Sequence, residues 1–77
     1  MTYVHCKTAT TLDGKKVRVG DKVKPVSYYT KKEFGTICTI TDMWKQGMDG
    51  TIARFDIAPD PEYPHHFSHR ISQTNSL

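Results

Sequence analysis

The chain has 77 residues, 36% of them hydrophobic and 25% charged, with a formal net charge of +3. That length carries one small domain, which buries only about 60% of the surface its unfolded chain exposes. The composition is too apolar for a wholly disordered chain, and no stretch approaches the roughly 18 apolar residues of a membrane-spanning helix. The segment MTYVHCKTAT has no apolar run leading to a small-residue cleavage site, so no secretory leader is expected. The expected compartment is therefore the cytoplasm, where Cys6 and Cys38 stay reduced.

Charge is uneven along the chain. In residues 1–32, Lys7, Lys15, Lys16, Arg18, Lys22, Lys24, Lys31 and Lys32 stand against Asp13 and Asp21 alone, a net of +6. In residues 33–77, Lys45, Arg54 and Arg70 stand against Glu33, Asp42, Asp49, Asp56, Asp60 and Glu62, a net of −3.

No heptad and no sustained helical spacing of apolar residues is present, and short β-branched runs ended by turn residues predict strands instead. TYVHC is the first, with Tyr3 and His5 on one face and Val4 and Cys6 on the other. In LDGKKVRVGD, Asp13-Gly14 suits a tight turn with positive φ. The alternation after it sends Val17 and Val19 inward and Lys16 and Arg18 to water. Gly20-Asp21 predicts a second turn or bulge. KVKPVS resumes the alternation, and Pro25 puts that strand at an edge or marks where it leaves the sheet. SYYTKKEF is expected to be a surface loop. In GTICTITDMW, Ile37 and Ile40 are three apart, so a bulge near Cys38 and Thr39 is needed to bury both. KQGMDG is a turn, and TIARFDI a strand with Ala53, Phe55 and Ile57 on one face. APDPEYP cannot be a central strand. HHFSHRI alternates His65, Phe67, His69 and Ile71 against His66, Ser68 and Arg70, as a last strand would. Residues 73–77 are polar and expected to fray, leaving one domain over 1–72.

The fold class expected is all-β, a small barrel of five to six short antiparallel strands, since closure removes exposed edges. The order VRVGDKVKPV, FGTICTIT, GTIARFDI resembles the small SH3-like barrels, including KOW-type and Tudor-like modules, over roughly residues 16–57, with HRI as a closing strand. An OB-fold would want more chain and a helix. The single-domain format is also like that of small phage and mobile-element proteins. The resemblance implies a binding module for nucleic acid, for ribosomal or transcription machinery, or for peptides, and no catalytic constellation; fold alone does not fix function.

The candidate binding residues are Lys15, Lys16, Arg18, Lys22, Lys24, Tyr28, Tyr29, Lys31, Lys32 and Trp44. Lysines neutralise phosphates and release counterions, and tyrosine faces stack on unpaired bases. The bland account is that outward strand positions are routinely Lys and that one Tyr of the pair packs under its loop. A second reading from another class is a phage-type inhibitor or adaptor that engages an acidic host protein through Tyr28, Tyr29 and Trp44; Trp44 alone would otherwise cover a barrel end. His5, Cys6, Cys38, His65, His66 and His69 offer zinc-ligand chemistry. They include no Cys-x-x-Cys pair, and on a strand His66 points away from His65 and His69. Surface histidines, with His69 partly packed beside Phe67 and Ile71, are the favoured reading, and no metal, cofactor or membrane partner is expected. Cys6 beside His5 points to the opposite strand face, so no nucleophile and base pair forms there and no enzyme is expected.

Overall fold

The computed structural model describes residues 4–77, so Tyr3 of the first expected strand lies outside the described residues. The strands are β1 (Val4–His5), β2 (Thr8–Thr10), β3 (Lys16–Arg18), β4 (Lys22–Pro25), β5 (Cys38–Lys45), β6 (Thr51–Phe55), β7 (Ser68–Arg70) and β8 (Thr74–Ser76), with single 3-10 turns at Gly47–Asp49 and Ile71–Gln73. The protein is all-β and its pairings are antiparallel. Among the described residues no helix is long and apolar enough to cross a membrane.

β5 is the hub because it is the longest strand and pairs on both edges. One edge carries β6 from Ile40 to Lys45. The other is shared: β4 pairs its start, Val23 opposite Cys38, and β1 pairs its end, His5 opposite Trp44. The order β7-β6-β5-β4-β8 completes the large sheet, while β2 and β3 form a separate hairpin. Val17, Val23, Cys38, Ile40, Met43, Ala53, Phe55 and Ile71 make the core, with Cys6 and Ala9 packed against it.

The turns follow the expected chemistry. Gly14 and Gly20 have φ of 86° and 99°, conformations that cost an L-residue with a Cβ about 1–2 kcal/mol. The Asp21 carboxylate accepts the Arg18 N–H at 2.9 Å, and the Gly20 N–H donates to the Ile40 carbonyl at 2.8 Å, fixing the β3–β4 corner against β5. Pro25 sits where β4 has left β5 and pairs only with Thr74 of β8, so its missing N–H costs no bond to β5.

Within the strands, five expectations are corrected. Val19 does not face inward: β3 ends at Arg18, and Val19 enters the corner 48% exposed. The bulge in β5 falls between Ile40 and Asp42, and the apolar pair it reconciles is Ile40 and Met43, both buried, whereas Ile37 precedes the strand and is exposed. Ile57 lies beyond the end of β6 and is exposed too. The last expected strand contracts to Ser68–Arg70, leaving His65 and Phe67 exposed. The C-terminal residues, expected to fray, form β8, with Val23, Lys24 and Pro25 opposite Ser76, Asn75 and Thr74.

The sheet is not a closed barrel, because β7 and β8 end it on opposite sides without pairing to each other. They are nonetheless joined by the three-residue turn Ile71–Gln73, which at about 2 Å per residue forces the two ends of the sheet close together. The seam is held by other bonds. Thr74 Oγ1 donates to the Arg70 carbonyl at 3.0 Å, the Val26 N–H donates to the Gln73 carbonyl at 2.9 Å, and His69 Nε2 bonds the Val26 carbonyl at 2.8 Å. The β2–β3 turn docks here as well. Leu12 N–H reaches the Thr74 carbonyl at 2.8 Å, and the Asp13 carboxylate accepts from the Ser76 N–H and hydroxyl and from the Thr11 hydroxyl.

Candidate functional site

The turn after β4 brings the tyrosines forward. Ser27 N–H donates to the Lys32 carbonyl at 2.9 Å and Lys31 N–H to the Ser27 carbonyl at 3.0 Å, while Ser27 Oγ accepts the Tyr29 and Thr30 N–H groups. Lys31 occupies the left-handed position, φ 60°, and its ammonium reaches Gln73 Oε1 at 2.6 Å. Closing the turn this tightly leaves Tyr29 at the tip, 95% exposed.

Tyr28 is held instead. Its ring lies on His69, centroids 4.6 Å apart, the Arg70 guanidinium sits 5.7 Å from its centroid, and its hydroxyl accepts the Arg70 N–H at 3.4 Å. Phe34 meets the same imidazole edge-on at 5.8 Å. His69 is therefore buried beneath the turn. Burial pushes its pKa below 6.5, against the opposing pull of its bonds to Val26 and Gln73.

The facing wall is the loop between β6 and β7. Thr36 Oγ1 donates to the Pro59 carbonyl at 2.7 Å, which anchors the loop, and two successive turns follow, Tyr63 N–H to Asp60 and His66 N–H to Tyr63, each at 3.0 Å. Between the walls runs an open groove of about 880 Å³. Tyr28, Tyr29, Lys32, Glu33 and Phe34 line one side, and Pro59, Asp60, Pro61, Glu62, Tyr63 and His66 the other.

The ten candidate residues therefore do not form one patch. Tyr28, Tyr29 and Lys32 meet in the groove. Lys16 and Arg18 project from β3 on either side of buried Val17, and Lys22 and Lys24 flank buried Val23 on β4. Lys15 sits exposed in the hairpin turn, where Thr11 holds its backbone. Lys24 pairs with Glu33 at 3.7 Å. Trp44 stands elsewhere, half-buried on the outer sheet face, opposite His5 of β1 and Ile52 of β6. It donates Nε1–H to Gln46 and borders a shallow hollow of about 420 Å³ with Arg54, His65 and Phe67.

The 59–66 wall went unrecognised in the sequence, where Pro61 and Pro64 spaced around Tyr63 marked only a non-strand segment. His69 is buried, and the rings that pack on it are Tyr28 and Phe34, which the expected packing beside Phe67 and Ile71 did not include. Among the described residues no three His, Cys, Asp or Glu side chains gather as metal ligands. Cys38 is buried and its thiol pKa is raised by that burial, which holds it protonated. Comparison with known protein families, curated proteins and solved structures finds no match for the chain.

Proposed function

We propose that the chain is a non-enzymatic binding module for nucleic acid, free or within a nucleoprotein machine of transcription or translation. Contact runs through the cation-bearing faces of β3 and β4 and the Tyr29 turn. One observation supports this most: Lys15, Lys16, Arg18, Lys22 and Lys32 have no carboxylate at ion-pair distance among the described residues. The acids of the same segment are turned to internal work, Asp13 on Ser76 and Thr11, Asp21 on the Arg18 N–H. Such cations are available to displace counterions from phosphates. The SH3-like resemblance belongs to the same proposal, supported by the meander from β4 to β7 and the return of β8 beside β4. The runner-up, an inhibitor or adaptor engaging an acidic host protein, would use the same lysines, and of its aromatic anchors Tyr28 and Tyr29 line the groove while Trp44 stands elsewhere.

The test is the affinity for a short duplex DNA and a single-stranded RNA across a salt series. Lys16→Glu with Arg18→Glu should weaken binding about tenfold or more at low salt and flatten the dependence of log K on log salt by about 1–2. Binding that ignores both salt and charge reversal would overturn the reading.

A further inference from the structure

We propose that the groove between the 27–34 turn and the 59–66 loop docks an extended, arginine-bearing peptide segment of a partner protein, a site separate from the lysine-bearing strands. Lys16, Arg18 and Lys22 do not line it.

The size and openness fit a chain segment. A volume of about 880 Å³ lies within the 300–1,000 Å³ range of ligand sites, and the groove opens to solvent rather than enclosing a small molecule. Two rings face it without being used up by the fold. Tyr29 is 95% exposed on one wall, and Tyr63 is 57% exposed on the other, its ring 5.8 Å from that of exposed His66. Phe34 and Pro59 add apolar lining between them.

Charge selects the occupant. Among the described residues Glu33, Asp60 and Glu62 line the groove against one lysine, Lys32, beside His66 and His69. Lys24 and Asn75 already engage Glu33, whereas no side chain bonds the Glu62 carboxylate among the described residues. A phosphate chain would meet repulsion here, and a cationic peptide would not. Among cations, guanidinium suits the walls best, because its plane stacks on an aromatic ring while its edge donates to a carboxylate. The fold builds that arrangement from its own residues on Tyr28, which also lines this groove: Arg70 lies over Tyr28, 5.7 Å from its centroid, and donates to Asp49 at 2.8 Å.

The experiment is an amide-shift titration at physiological salt with a nine-residue arginine-proline peptide, beside the same peptide carrying lysine for each arginine. Shifts confined to residues 28–34 and 59–66, tighter binding of the arginine peptide, and about a tenfold loss in the Tyr29→Ala, Tyr63→Ala double variant are expected. Both tyrosines are exposed, so the variant keeps its fold, which its amide spectrum checks. Equal affinity for the two peptides, or shifts spread over all the carboxylates, would overturn the proposal.

Discussion

The strands β3 and β4 and the groove walls deploy their side chains in opposite ways. On β3 and β4 the fold is held by buried Val17 and Val23 and by turn bonds of Asp13 and Asp21; Lys16, Arg18 and Lys22 project outward without an ion-pair partner among the described residues, and Lys24 meets Glu33. In the groove the same aromatic cluster serves fold and surface: Tyr28 lines the groove and also covers His69, which bonds Val26 across the seam of the open sheet. Binding and stability should therefore separate cleanly on the strands and stay coupled at Tyr28.

Four changes sharpen that contrast. His69→Ala strikes the seam hardest, removing a buried ring and leaving the Val26 carbonyl without its side-chain partner. A loss of about 2–4 kcal/mol in denaturant unfolding is expected. Tyr28→Ala should cost less, about 1–2 kcal/mol, since the ring is half-exposed but loses its contacts to His69 and Arg70. Gly20→Ala tests the β3–β4 corner by backbone strain alone, because an added Cβ would meet no atom within 4 Å at φ 99°. About 1–2 kcal/mol is expected there. Smallest in stability is Lys16→Glu with Arg18→Glu, within about 0.5 kcal/mol, as befits exposed positions whose role is binding.

Acid should also divide the two regions. Because burial holds the folded His69 pKa below 6.5, the unfolded chain takes up that proton first. The stability is whole above about pH 6.5 and declines as pH falls through the folded pKa. The Asp13 carboxyl is held well below its usual value of 3.8, chiefly by the Ser76 hydroxyl and next by Thr11. Its contribution is intact above about pH 4 and fades at lower pH. Unfolding followed over pH 7 to 5 should show the first decline, and His69→Gln should remove it. Asp13→Asn should leave that window unchanged and alter only the more acidic one.

Local chemistry carried much of the fold from sequence. Asp13-Gly14 and Gly20-Asp21 announced their turns, and the need for a bulge in β5 was visible in apolar spacing. Its position was not, because Ile37-x-x-Ile40 and Ile40-x-x-Met43 pose the same spacing problem, and only pairing with β6 chooses between them. The polar end TNS became β8 because β4 needed a partner at Lys24 and Pro25, a long-range requirement that composition does not record. The candidate site was half visible for the same reason. Tyr28, Tyr29 and the lysines stood out locally, whereas the wall carrying Asp60, Glu62 and Tyr63 is brought to face them by long-range contacts such as the bond from Thr36 to Pro59.

The central claim is that the projecting cations of β3 and β4 contact nucleic acid. An amide chemical-shift titration with a short duplex DNA and a single-stranded RNA, each at low and high salt, tests it most directly. Shifts concentrated on residues 15–24 and the 27–32 turn that vanish as salt rises, with residues 59–66 unmoved, are the predicted result. No peak moving at low salt, or salt-insensitive shifts confined to the groove, would contradict it.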